Sequence, residues 1–387
     1  SMATALPPLH FAPILFLCLP ILMLTIRHAD NWKIAFWRAF VFSLGFFTAG
    51  LYWIAVALWV DIARFWWAVP FAVLGLPAVL ALITALPMAF LRWYNPKSGW
   101  EWWIDFSLAW YLGAWLRGHL FGGFPWNLLG YTWATDLFLP VLQFTAVINI
   151  YGLTFITVLL ASSVYVFRYE ENRKLHALVS GLFMLVAGLV IILGTGRLSQ
   201  PVVQSDHVLR LVQPNIPQSE KWNSALQRRN LERLVALSRQ QGEKKIDGII
   251  WPETAVGLFG TAETRAFKAM ISNQLLTDDQ FLMTGLLEPG LTDAGERRLY
   301  NKISVFNAEG IRVGDYAKHR LVPFGEYLPY ESLWPVNPIA ANGEIMFAPG
   351  EGAQTVRIEG LPAFSPLVCY EIIFPKRSID PDDRPDL

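Results

Sequence analysis

The sequence predicts two parts: a multi-pass α-helical membrane domain over residues 1–200, then an α/β domain over residues 201–387. Three observations predict this. Long stretches without one Asp, Glu, Lys or Arg recur through the first part and stop near residue 200. That part holds only 11 of the 31 Lys/Arg and 7 of the 31 Asp/Glu, so most of the charge lies in the second. From residue 207 short apolar runs alternate with amphipathic stretches, as strands interleaved with helices do.

A helix needs about 20 apolar residues to cross a bilayer. Residues 39–60, 65–91, 137–167 and 177–196 are uncharged and each reads as a span. Residues 9–26 are uncharged but slightly short, and 102–116 is the weakest span because it carries Asp105. The stretch 137–167 exceeds one crossing, so its first part is expected to run along the interface. Prolines inside spans are tolerated where neighbouring helices satisfy the freed carbonyls. Fourteen of the 17 tryptophans precede residue 140 and read as interface anchors without chemistry.

Six spans put both ends of this part on one side. The connections after spans one, three and five carry Arg27, Lys33, Arg92, Lys97, Arg168, Arg173 and Lys174. Those after spans two, four and six carry only Arg64, Arg117 and Arg197. Basic loops stay in the cytoplasm, so residues 197–387 are expected outside, which in a bacterium means the periplasmic face of the inner membrane. The same count puts Ser1 outside with no basic leader, so a further helix is expected ahead of it.

A formal net charge of zero and the lack of basic runs give no hint of a nucleic-acid partner. The six histidines show no metal-ligand spacing, and neither a metal nor a cofactor is expected. Of the two cysteines, Cys18 lies in an apolar segment and reads as a small hydrophobe. Cys369 lies in the polar part, and a disulfide framework is excluded.

In the second part His207–Gln213, Ile246–Trp251 and Phe281–Leu287 read as strands, and Lys302–Asn307 with Ile311–Tyr316 as a hairpin. Thr355–Ile358 and Phe364–Tyr370 read as further strands, and 223–240 and 262–276 as helices.

Three segments place reactive groups at strand ends or in loops. They are Trp251-Pro252-Glu253-Thr254, then Tyr316-Ala317-Lys318-His319-Arg320-Leu321-Val322-Pro323-Phe324-Gly325-Glu326, then Leu367-Val368-Cys369-Tyr370-Glu371. A cysteine with a pKa of about 8.5 needs a base or a cation to become a thiolate. A carboxylate can take the thiol proton and return it to a leaving group. A lysine and a backbone amide can then stabilise the tetrahedral oxyanion. Taken singly, Glu253 and Lys318 are more often an ordinary ion pair, Cys369 a buried hydrophobe and His319 a structural residue.

The order Trp-Pro-Glu, Lys-His-x-Leu-Val-Pro-Phe-Gly-Glu and Cys-Tyr-Glu resembles the nitrilase, or carbon–nitrogen hydrolase, superfamily. More narrowly it resembles the bacterial apolipoprotein N-acyltransferase family. Gly-Gly-Phe-Pro-Trp-Asn at 122–127 and Gln-Pro-Asn-Ile-Pro-Gln-Ser-Glu-Lys-Trp at 213–222 also match. The resemblance implies an αββα sandwich and a ping-pong reaction. An acyl chain would pass from a phospholipid, typically phosphatidylethanolamine, to Cys369 as a thioester. It would then pass to the α-amine of a diacylglyceryl-cysteine at a lipoprotein N-terminus. Glu253 maps to the base, Lys318 to the oxyanion stabiliser, and the Tyr370 amide to a second donor. Glu326 and Glu371 map to supports of the Lys and Cys, and Trp222 to the substrate path. Val256–Phe259 and Leu333–Phe347 are apolar enough to form lids at the lipid surface. The resemblance also implies a further strand, an Asn-Asp-x-Trp-Phe-Gly loop, more helices and a closing span after Leu387, so the sandwich is expected to be cut short. Two other readings stay open: a membrane-anchored amidase that uses water as acceptor, and a non-enzymatic membrane protein with an inactive nitrilase-like domain.

Overall fold

Capping side chains set where the long helices begin. In the computed structural model, Asn31 accepts the Lys33 and Ile34 amides and opens α2 (Trp32–Leu51). Ser98 and Glu101 cap one another's backbone at the start of α4 (Gly99–His119). Asn172 opens α6 (Arg173–Leu198) in the same way as Asn31. The structure describes all residues except 170–171, 203, 222, 243, 258–260, 278, 293, 330–345, 375–378 and 386–387. Trp222 and most of the two expected lid stretches lie outside the described residues. The chain forms two compact units, Ser1–Val202 and Val203–Leu387.

The first unit is helical: α1 (Leu15–Arg27), α2, α3 (Leu76–Tyr94), α4, α5 (Thr145–Ser162) and α6. Among the described residues, four helical stretches are long and apolar enough to cross a membrane: Trp32–Trp59, Trp66–Tyr94, Thr145–Tyr169 and Arg173–Leu198. Ala12–Arg27 is apolar but shorter. Helix α4 has 21 residues yet includes Glu101, Asp105 and Arg117, so it is less apolar than those four. The stretch that read as one long span is interrupted. Asn149 leaves the helical conformation (φ 54°, ψ −179°), and its side chain accepts the Tyr151 and Gly152 amides, so regular helix starts after it.

The core of this unit is aromatic, with Phe46, Phe47, Trp102, Phe106 and Trp110 buried against Leu19, Leu22 and Met23. Arg117 is buried too. It lies over the Phe47 ring at 4.5 Å and donates from Nη1 to the Trp126 carbonyl at 2.9 Å. The guanidinium thereby pins the irregular Gly-Gly-Phe-Pro-Trp-Asn loop, whose backbone turns left-handed at Gly122, Gly123 and Asn127.

The second unit is a mixed sheet with helices. Its strands are β1 (Leu209–Leu211), β2 (Gly248–Ile250), β3 (Val256–Gly257), β4 (Phe281–Leu291), β5 (Arg297–Phe306) and β6 (Arg312–Ala317). Among the described residues they form one sheet in the order β1-β2-β4-β5-β6, with β3 also on β4. Pairing is parallel from β1 to β4 and antiparallel from β4 to β6. Helices α7 (Gln227–Ser238) and α8 (Thr261–Met270) contribute Leu234 and Phe267 to a core with Ile249, Trp251, Leu282, Leu286 and Phe306.

Two expectations need correction. Strand β5 starts at Arg297, five residues before the hairpin strand read from the sequence, because it continues along the whole of β4. Thr355–Ile358 and Phe364–Tyr370 are not strands but meet in a single antiparallel bridge, Val356 to Phe364.

Candidate active site

Glu253 sits where one edge of the sheet is interrupted. Strands β2 and β3 both pair with β4 on the same side, and the chain between them leaves the ladder. The Trp251 amide bonds the Met283 carbonyl and the Ala255 amide bonds the Gly285 carbonyl. Four residues thus advance against two on β4, and the excess is pushed outward as a bulge with Glu253 on it. Thr254 closes the bulge in the left-handed region, at φ 49°. Gly285 makes room for it, because a Cβ there would lie 2.5–2.7 Å from Thr254 N, Glu253 Cα and the Pro252 carbonyl.

Asn301, buried on β5, donates from Nδ2 to Glu253 Oε1 at 2.8 Å. Its backbone carbonyl accepts the Lys318 amide at 2.8 Å. One residue therefore ties the carboxylate to the lysine segment, which leaves the sheet just after β6.

Lys318 is 1% exposed, and its ammonium donates to Glu326 Oε1 at 2.9 Å. The other oxygen of Glu326 accepts the Val322 amide at 2.8 Å. Glu326 thus closes its own loop and fixes the lysine with one carboxylate. The partner of Lys318 is Glu326, so the ordinary Glu253–Lys318 ion pair considered from sequence does not form. Phe324 in this loop also has a left-handed backbone, at φ 61°.

Cys369 does not end a strand. It opens a short 3-10 turn, Cys369–Ile373, at φ 51°, and it is exposed. A left-handed conformation at a non-glycine residue costs on the order of 1–3 kcal/mol and persists where the surroundings impose it. Here Glu371 imposes it. Its buried carboxylate accepts the Val368 amide at 2.8 Å, just before the cysteine. It also accepts the His319 and Arg320 amides at 2.9 and 3.1 Å and the Tyr316 hydroxyl at 2.8 Å. Glu371 therefore staples the cysteine turn to the lysine segment. Burial and the adjacent Glu371 carboxylate raise the Tyr316 phenol above its ordinary range and keep it a neutral donor. His319 Nδ1 lies 2.8 Å from both Glu371 Oε1 and the Tyr316 hydroxyl, a structural position.

Charged groups from separate segments converge on the thiol. Although the residue is exposed, partial desolvation by the surrounding groups pushes the Cys369 thiol above its ordinary value, and the Glu253 carboxylate adds to the push. The Lys318 ammonium pulls it down, Glu326 raises it, and a hydrogen bond from the Tyr370 amide lowers it. The resting thiol is therefore protonated at neutral pH, with a carboxylate within electrostatic reach. Lys221, at the end of the short helical turn Gln218–Lys221, donates from Nζ to the Glu253 carbonyl at 2.9 Å. Among the described residues no group of three or more His, Cys, Asp or Glu is placed to hold a metal ion.

Sequence reasoning missed Asn301, Tyr316, Gly285 and Lys221. Asn301 and Gly285 carry no local signal, since only the register of β4 against β5 and the bulge gives them a role. Lys221 carried one, its place beside Trp222 inside the Gln-Pro-Asn-Ile-Pro-Gln-Ser-Glu-Lys-Trp segment.

Comparison with known proteins agrees with this architecture. Residues 1–163 match the apolipoprotein N-acyltransferase N-terminal domain, and residues 209–380 match the carbon–nitrogen hydrolase family. The apolipoprotein N-acyltransferase of Rickettsia prowazekii (strain Madrid E) is 32% identical over 369 residues, 95% of this chain and 72% of that protein. The chain belongs to the apolipoprotein N-acyltransferase family. That of Rhodopseudomonas palustris (strain ATCC BAA-98 / CGA009) is 34% identical over 400 residues, covering 98% of this chain and 74% of the relative. Among solved structures, an amidase from Nesterenkonia sp. is similar over 45% of this chain and 57% of its own at 18% identity. Its TM-score of 0.26 carries no argument. As a family member the chain is an acyltransferase and a membrane protein, with a mixed α/β sheet domain of the carbon–nitrogen hydrolase type following its apolar helices.

Proposed function

We propose that the protein transfers an acyl chain from a phospholipid to the α-amine of a diacylated lipoprotein by way of a thioester on Cys369. The observation that carries this reading is the convergence on one exposed thiol of Glu253 from one segment of the α/β unit and of Lys318 with Glu326 from another. Glu253 takes the thiol proton, and the thiolate attacks the ester carbonyl at the sn-1 position. The Lys318 ammonium and the Tyr370 amide stabilise the oxyanion. As the intermediate collapses, the ester C–O bond breaks and Glu253 returns its proton to the departing lysophospholipid oxygen. The lipoprotein amine then attacks the thioester, Glu253 accepts a proton from it, and the Cys369 thiolate leaves.

Glu326 orients Lys318, Glu371 holds the cysteine turn, and Trp222 is assigned a part in lipid binding. Both substrates carry acyl chains in a bilayer leaflet, which fits a chain whose first unit has helices long and apolar enough to cross a membrane. The basic connections of the first unit orient it in a bacterial inner membrane, with the α/β unit on the periplasmic side.

The test is direct. The protein, in detergent with labelled phosphatidylethanolamine, is expected to gain one acyl mass on Cys369 that hydroxylamine removes. No adduct on the wild type, or an equal adduct in Cys369→Ala, overturns the reading.

A further inference from the structure

We propose that Lys221 is a positioning residue of this site, one that holds the Glu253 bulge through its backbone and supplies a second cation to the Cys369 thiolate. The inference rests on the reading of Cys369 as nucleophile and adds a residue to which that reading gives no role.

Geometry comes first. The Lys221 ammonium donates to the Glu253 carbonyl at 2.9 Å, so it contacts the segment that has left the sheet ladder and lacks strand pairing there. Asn301 holds the same residue from the other end, by its carboxylate. Glu253 is thus fixed at two points, by a lysine outside the sheet and an asparagine within it.

Charge gives the second argument. The carboxylates of Glu253 and Glu326 and the ammonium of Lys318 act directly on the thiol, two negative groups against one positive. Lys318 is moreover compensated by Glu326 at 2.9 Å. That arrangement alone opposes a thiolate. Lys221 adds a further positive group to this neighbourhood, since the Glu253 carboxylate and Cys369 both favour its ammonium. When the proton moves from Cys369 Sγ to a Glu253 carboxylate oxygen, the negative charge moves from glutamate to sulfur. Lys221 is within electrostatic reach of both positions, so it stabilises the charge before and after the transfer without moving. Burial lowers the Lys221 pKa on balance, and Glu253 and Cys369 counter only part of that by favouring the ammonium.

The test measures ionisation of Cys369 and needs no acyl donor. Alkylation of the Cys369 peptide by iodoacetamide is followed by mass across the pH range in the full chain, for wild type, Lys221→Met and Lys221→Arg. Lys221→Met is expected to displace the profile to higher pH, so that alkylation at neutral pH slows on the order of tenfold, equivalent to about one pKa unit. The alkaline plateau stays at the wild-type rate, as expected when only the ionisation of Cys369 changes. Lys221→Arg is expected to follow the wild-type profile. An undisplaced Lys221→Met profile, a plateau reduced by the same factor as the neutral rate, or an arginine variant displaced as far as the methionine one overturns the proposal. Failure of the acyltransferase reading shows separately, as a missing thioester on the wild-type protein.

Discussion

Replacing Glu253 with Gln is expected to lower acylation of Cys369 by roughly 10²–10⁴-fold, the usual contribution of a positioned general base. The glutamine can keep the bond from Asn301 Nδ2, now through its amide oxygen, so the bulge stays in place. The substitution carries an opposite second effect. The Glu253 carboxylate raises the thiol pKa, so removing its charge lowers that pKa and moves the alkylation profile to lower pH. Cys369 of Glu253→Gln should therefore react faster with iodoacetamide at neutral pH while transferring far less acyl chain. Parallel loss of both reactivities would make Glu253 a structural residue, and unchanged acylation would remove it from the mechanism.

The second large effect is expected at Glu371. Its carboxylate is 1% exposed and gathers the Val368, His319 and Arg320 amides with the Tyr316 hydroxyl. Glu371→Ala removes the acceptor and leaves those donors buried. A loss of about 3–5 kcal/mol follows from stranding several groups that had bonded one buried charge. The cysteine turn and the lysine segment lose their common tie, so the φ of 51° at Cys369 is no longer enforced. Glu371→Gln is expected to be intermediate, since its amide oxygen accepts some donors while its NH₂ faces the rest. Thermal unfolding in detergent and Cys369 acylation are expected to fall together in the order wild type, Gln, Ala. An alanine variant with wild-type stability and acylation contradicts the staple.

These two residues also mark how far the sequence is legible. Runs such as 177–196 announce a span because hydrocarbon excludes charge, and the structure has a helix there from Arg173 to Leu198. The three reactive segments were visible because their residue order matches a family. Their geometry was not. Each carries a non-glycine residue in the left-handed region: Thr254, Phe324 and Cys369 itself. Threonine, phenylalanine and an apolar run into a cysteine all favour extended backbone, so Phe364–Tyr370 read as a strand. Tertiary bonds override that preference here, above all those of Glu371. The same holds for Lys318, whose partner is decided by the closure of its own loop and not by the spacing of charges along the chain.

The central claim is that Cys369 passes its acyl chain to an amine and not to water. Acyl-enzyme formed from labelled phospholipid, freed of donor and then mixed with a diacylated lipopeptide, tests it most directly. The account predicts that the thioester disappears as an amide forms at the peptide N-terminus, one acyl chain for each thioester lost. Release of the label as free fatty acid from an unmodified peptide would contradict it.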